Sequence, residues 1–287
     1  MKIKNNVILA KHTTYKIGGP ADYFISVKNF EELKLALKFA DDNLLPIFIL
    51  AGGSNVLFGD EGFRGLIIKI DNKKLSINGN KIMADAGVLM GDLVSQSIEN
   101  SLVGLEWAGG LPGTVGGAIR GNAGCFGGEI KDIVEEVIAA TNNGEIKLYK
   151  NKNCQFGYRD SIFKNNKEII LSAVLKLKSG DREKLKMEVF DHIKYRKTKH
   201  RMPSCGSVFK NHFLKDGSVL SAGALIETCG LVGKTIGGAM ITKEHANIIH
   251  NFNNAKAADV LDLIDLVKEK VKQKFDINLE EEVQLII

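Results

Sequence analysis

Ten of the chain's 30 glycines fall between Gly104 and Gly128, in the stretch GLEWAGGLPGTVGGAIRGNAGCFGG. Each glycine weakens a helix or a strand, so this stretch is expected to be loop rather than regular structure. Trp107, Leu111, Val115, Ile119 and Phe126 interleave with the glycines. Apolar residues at that density favour a loop that packs over a flexible surface loop. Glycine-rich backbone supplies positive φ and brings N–H groups close to an anion. A second cradle of this kind, Gly52-Gly53-Ser54-Asn55, follows the apolar run Leu45–Leu50. Two such loops can enclose a dinucleotide.

The two commonest nucleotide fingerprints are missing. No two glycines are separated by a single residue, so the G-x-G-x-x-G motif is absent. Gly233-Lys234-Thr235 imitates the tail of a phosphate-binding P-loop, but the position of its leading glycine holds Thr228.

Periodicity gives a mixed α and β chain. Residues 30–43 put Phe30, Leu33, Leu37 and Ala40 on one helical face, and Ala257–Phe275 does the same with Val260, Ile264, Val267 and Val271. Asp181–Lys199 reads as a charged helix with Leu185, Val189 and Ile193 on one side. A further helix is expected around Ser218–Cys229. Strands are expected at Leu45–Leu50, Leu66–Ile70, Lys81–Ala86, Glu136–Ala140, Glu145–Tyr149, Ile169–Lys178, Asn247–His250 and Glu282–Ile287, with Asn142-Asn143-Gly144 turning one hairpin. The polar segment from Met202 to Ser207 suggests a domain boundary near residue 200.

The remaining composition narrows the function. No apolar run is long enough to span a bilayer, and Val7–Ala10 is too short for a secretion signal, so a cytoplasmic protein is expected. Cys125, Cys154, Cys205 and Cys229 are scattered, which predicts free thiols and no disulfide framework or zinc site. His245 and His250 are five apart, which does not suit a metal pair on one helix face. A net charge of +5 suits a phosphate- or carboxylate-bearing substrate and is too dispersed for nucleic acid.

Several segments carry a resemblance. In chain order they are His12–Ala21 (HTTYKIGGPA), Gly52–Leu57 (GGSNVL), Gly110–Ala118 (GLPGTVGGA), Gly121–Gly124 (GNAG), Tyr158–Phe163 (YRDSIF), Pro203–Asn211 (PSCGSVFKN) and Glu280–Val283 (EEEV). Together they resemble the UDP-N-acetylenolpyruvoylglucosamine reductases, or UDP-N-acetylmuramate dehydrogenases, of bacterial peptidoglycan synthesis, over nearly the whole length. The short gap between Arg159 and Ser207 points to the shorter second-type subgroup.

The resemblance implies an α+β fold. Two FAD-binding subdomains of the vanillyl-alcohol-oxidase/PCMH type would span residues 1–70 and 71–200, followed by a C-terminal α/β substrate-binding domain over 201–287. It implies non-covalent FAD, NADPH as co-substrate and a UDP-sugar substrate whose enolpyruvyl ether is reduced to UDP-N-acetylmuramate, with no metal, nucleic acid or obligate protein partner. FAD would be held by Gly52, Gly53, Ser54 and Asn55 together with Gly113, Thr114, Gly116, Gly117, Ala118, Asn122 and Gly124. Arg159, Ser207 and Glu282 match the family's catalytic arginine, proton donor and glutamate, and Arg196, Lys210 and Asn211 its substrate contacts.

Those residue types suit the chemistry. Adding hydride to an alkene conjugated with a carboxylate builds negative charge on the carboxylate and leaves one proton to deliver to carbon. A guanidinium fork suits the first task. A protonated glutamate would need a pKa raised by desolvation to assist. The chain departs from the family at His212, where proline is usual, and at Gln284, where arginine is usual. Two other readings share the glycine loops: an FAD-dependent oxidase or dehydrogenase acting on an alcohol or sugar, and a non-catalytic nucleotide-binding module.

Overall fold

The structure is a computed structural model that describes residues 2–287. The chain forms two compact units. Of the described residues, the first holds 2–4, 23–52 and 65–196, and the second holds 5–22, 53–64 and 197–287.

In the first unit a five-stranded antiparallel sheet runs in the order Ile146–Lys150, Val134–Ala140, Ile169–Lys176, Lys81–Asp85, Leu75–Asn78. Alternation sets its faces: Ile82 and Ala84 are buried while Met83 between them is exposed. A second set of strands includes Ile47–Leu50, paired in parallel with Leu66–Lys69. Both Leu66 and its neighbours Ile67 and Ile68 are fully buried, as expected for a strand covered on both faces.

Helix α1 (Phe30–Asp42) begins where the Asn29 side chain accepts the Glu32 N–H at 2.9 Å, and it buries Leu33, Ala36, Leu37 and Ala40. Helix α2 (Met90–Glu99) buries Met90, Leu93 and Val94. Helix α3 (Val115–Arg120) lies inside the glycine run, and the pairs Gly124–Cys125 and Gly128–Glu129 form a small antiparallel hairpin. The expectation of an irregular loop is therefore corrected. Val115, Ala118 and Ile119 are spaced for one helical face and all three are buried in the core. That burial outweighs the low helix propensity of Gly116 and Gly117. Helix α4 (Arg182–Lys199) packs Leu185 and Val189 into the same core.

The second unit has its own core. Helix α5 (Ala222–Thr228) is shorter than the periodicity suggested, because Val219–Leu220 pairs as strand with His212–Phe213. Helix α6 (Ala257–Phe275) buries Val260, Leu263, Ile264, Val267 and Val271. Its first two free N–H groups, on Ala257 and Ala258, donate to the Asp60 carboxylate at 2.8 and 3.2 Å. The strands Thr235–Ile236, Ala239–Ile241 and Ile249–Asn251 form an antiparallel meander. The last strand, Gln284–Ile286, pairs in parallel with Val56–Phe58. Tyr15, Ile17 and Leu57, all from the N-terminal quarter of the sequence, complete this core.

Among the described residues no helix is long and apolar enough to cross a membrane.

Candidate active site

In the first unit the two glycine-bearing loops touch. A Cβ on Gly52 would lie 2.7 Å from the Gly113 Cα, so only glycine permits that approach. Gly117 sits on the exposed side of α3, where a Cβ would be 3.4 Å from the Ala51 side chain. Between them, the Thr114 hydroxyl is buried and has no hydrogen-bond partner in the protein. A buried hydroxyl without a partner is costly unless something binds it. An unsatisfied hydroxyl beside a backbone approach this close fits a ligand that presents acceptor oxygens, such as the diphosphate of FAD.

Several other residues of the run are engaged by the protein itself. The N–H groups of Val115 and Gly116 donate to the Val88 and Ala86 carbonyls at 2.9 and 2.8 Å, which ties the loop down. A Cβ on Gly128 would lie 2.3 Å from the Trp107 ring, and one on Gly124 would lie 2.6 Å from the Glu129 Cβ. Ala118 packs into the core. The Asn122 side chain is fully buried and fully used: its amide donates to Glu129 Oε2 (2.6 Å) and the Gly157 carbonyl (2.8 Å) and accepts the Lys131 N–H (3.0 Å).

Two arginines converge on the Gly124–Phe126 turn. Arg159 holds a left-handed backbone, φ +54°, and its Nη2 donates to the Gly124 carbonyl at 2.6 Å. Arg196 arrives from α4, one turn beyond His192. Its Nε donates to the Gly109 carbonyl at 2.9 Å, and its guanidinium lies over the Phe126 ring. Gly109 makes room for that helix, since a Cβ there would be 2.8 Å from the Val189 carbonyl oxygen. Cys125, which the sequence marks only as a free thiol, touches Arg196. The available signal was its place inside the glycine run.

In the second unit, Ser207 follows Gly206 (φ +78°) and bridges to Ile248. On either side of it the chain is fixed. The Ser204 carbonyl accepts the Thr14 hydroxyl at 2.8 Å, and the Phe209 N–H and carbonyl both bond the Asn247 side chain. The Val208 carbonyl accepts the Glu282 N–H at 2.7 Å, and Phe209 bridges to Glu281. The short ladder that joins residues 208–209 to 281–282 thus begins directly after Ser207 and includes Glu282. Burial pushes the Cys205 thiol up to about 12, so Cys205 is a neutral thiol.

Asn55 belongs to this ladder: its amide donates to the Glu282 carbonyl at 3.0 Å and its own carbonyl accepts the Gln284 N–H. Gly53 packs against the N-terminal segment, where a Cβ would meet the His12 carbonyl oxygen at 2.1 Å. Ser54 lies half-buried between them. Lys210 pairs with Glu280, and the Asn211 amide oxygen accepts the Ala222 N–H at 3.1 Å. His212, the residue that stands where proline was expected, pairs with Leu220 in a two-residue ladder.

Comparison with known proteins agrees along the whole chain. A family model described as the C-terminal domain of UDP-N-acetylenolpyruvoylglucosamine reductase matches residues 196–286, and one described as an FAD binding domain matches residues 21–148. The UDP-N-acetylenolpyruvoylglucosamine reductase of Alkaliphilus oremlandii is 40% identical over 97% of this chain and 91% of its own length. That of Clostridium novyi is 37% identical over 99% of this chain and 92% of its own. A crystal structure of UDP-N-acetylenolpyruvylglucosamine reductase from Thermus caldophilus superposes with a TM-score of 0.85 at 34% identity, covering 100% of both chains. The chain belongs to the UDP-N-acetylenolpyruvoylglucosamine reductase family.

Proposed function

We propose that this protein reduces the enolpyruvyl ether of UDP-N-acetylglucosamine to UDP-N-acetylmuramate, with NADPH as the source of hydride, in the supply of peptidoglycan precursors. The observation that carries this reading is identity of 34–40% across essentially the full chain to proteins that bear the reductase name. Bound FAD supplies the hydride relay between NADPH and the alkene. Gly52, Gly53, Ser54, Asn55, Gly113, Thr114, Gly116, Gly117, Ala118, Asn122 and Gly124 would hold it, a reading supported by the unsatisfied Thr114 hydroxyl and the close approach of Gly52 to Gly113. In functional terms residues 1–70 and 71–200 serve the flavin, and 201–287 serve the UDP-sugar.

The chain's own side chains then have separate tasks. Arg159 directs guanidinium donors at the substrate carboxylate, where negative charge grows during hydride addition. Glu282, in its protonated form, donates a further hydrogen bond to that charge. Ser207 delivers the proton to carbon, and the fixed ladder around it keeps the hydroxyl where the proton is needed. Arg196, Lys210 and Asn211 hold the anionic remainder of the UDP-sugar. The protein works in the cytoplasm on small molecules, without nucleic acid or an obligate protein partner.

Stopped-flow kinetics test this reading. In Ser207→Ala, reduction of bound FAD by NADPH is expected to stay within about two-fold of wild type, and reoxidation by the enolpyruvyl substrate to slow by about 10²- to 10⁴-fold. Survival of both half-reactions would overturn the role of Ser207. A colourless preparation that takes up no added FAD would sink the flavin reading itself.

A further inference from the structure

Arg196 is held at several points along its side chain. It stands four residues beyond His192 on α4, and the two side chains share a face. His192 Nδ1 donates to the Glu106 carbonyl at 2.8 Å, and its ring stacks on Phe126 with centroids 4.1 Å apart and planes 5° from parallel. The Arg196 guanidinium carbon lies 5.3 Å from the same Phe126 ring centroid, within cation–π range. Its Nε donates to the Gly109 carbonyl, and its Nη2 to the sulfur of Cys125. With Nε and Nη2 taken by the protein, the Nη1 edge is left to meet a ligand.

Cys125 is the hinge of this arrangement. Its thiol donates to the Trp107 carbonyl at 3.0 Å while its sulfur accepts from Arg196. A sulfur that donates and accepts at once is a protonated thiol. Burial pushes this thiol up from its ordinary value, against the pull of Arg196 and then Arg159, which agrees with that state. The neighbouring Gly124 carbonyl holds Arg159, so three consecutive residues hold two arginines.

We propose that Cys125 is a positioning residue for substrate binding: its sulfur, with the Phe126 ring beneath, fixes the Arg196 guanidinium so that its free edge meets an anionic group of the UDP-sugar. This rests on the reading of Arg196 as a substrate contact. Alanine at 125 removes the sulfur acceptor and leaves the guanidinium held by the Gly109 carbonyl and the Phe126 ring, a looser hold on its outer edge. Serine keeps a group that both donates and accepts. In this role no covalent bond is made or broken at the sulfur.

The test uses the full-length holoenzyme and the product UDP-N-acetylmuramate as a calorimetric probe, beside steady-state kinetics. A hydrogen bond to a charged group is strong, and sulfur is a weak acceptor, so Cys125→Ala is expected to weaken product affinity about 5- to 20-fold. The substrate KM should rise in parallel, with kcat, FAD content and melting temperature little changed. Cys125→Ser should restore affinity to within about three-fold of wild type. Arg196→Ala should weaken affinity more than Cys125→Ala, and the double variant no more than Arg196→Ala alone. If Arg196→Ala weakens binding and Cys125→Ala does not, or if the two losses add in full, the positioning role is wrong. If Arg196→Ala itself leaves affinity unchanged, the reading of Arg196 fails instead. Should alanine at 125 cost the fold, Cys125→Val, of similar size and with no acceptor, gives the same comparison.

Discussion

Asn122 sits in the most flavin-like stretch of the sequence, yet every hydrogen-bonding atom of its side chain is spent on Glu129, Gly157 and Lys131. Removing a buried amide strands its partners, so Asn122→Ala is expected to cost about 2–4 kcal/mol of stability by urea unfolding. FAD affinity of the folded protein should change by less than about three-fold, because the side chain is committed to the protein. The sequence could place Asn122 within a motif, but a motif does not say which way an amide faces. Thr114 is the opposite case, with a hydroxyl that nothing in the protein satisfies. Both residues look alike in the sequence, and only packing separates them. A third residue gives a pH dependence. Burial holds the His245 imidazole below its usual value of 6.5, with Lys199 adding, while its Nδ1 accepts the Asn247 N–H. The unfolded chain therefore binds the proton first as pH falls. Stability is full above about pH 6.5 and declines below it, until the folded imidazole also protonates. Urea midpoints at pH 7.5 and 5.5 measure this slope, which His245→Gln should flatten.

Helices α1 and α6 were legible because their apolar residues recur at helical spacing, and α1 also starts at an ordinary cap, Asn29. Helix α3 was not, because Gly116 and Gly117 dominate a propensity count. Its spacing of Val115, Ala118 and Ile119 was present in the sequence, but six residues are too few for a period to stand out. The short strands were legible in kind but not in extent, as at Ile249–Asn251, where a partner strand decides the ends. Least legible was the cap of α6. Asp60 is far from Ala257 in sequence, yet its carboxylate takes the first two N–H groups of the helix. A carboxylate there satisfies two donors and faces the positive end of the helix dipole. Asp60→Ala is expected to cost about 1–2 kcal/mol, and Asp60→Asn somewhat less, measured by thermal or urea unfolding.

For the molecule as a whole, cofactor and stability are linked. A ligand that binds only the folded state adds about 2.7 kcal/mol at a hundred times its Kd, which corresponds to a rise of about 5 °C in melting temperature. Free FAD should raise the melting temperature of stripped protein by that order. In Gly52→Val, whose Cβ would crowd the Gly113 backbone, the rise should vanish. The family resemblance made the reaction legible from seven motifs. The partition into compact units was harder to see, because segments 5–22 and 53–64 pack with residues from 197 onward. That partition has a consequence on the ribosome. The first unit has all its residues once Arg196 has been made. The strand Val56–Phe58 must wait for Gln284–Ile286, its parallel partner more than two hundred residues later. At about 5–20 residues per second, that wait is on the order of 10–50 s, with a hydrophobic edge unpaired throughout. A message cut just before the codon for Gln284 would therefore yield a chain with its first unit finished and that edge permanently open. Such a chain is a target for chaperones and proteases.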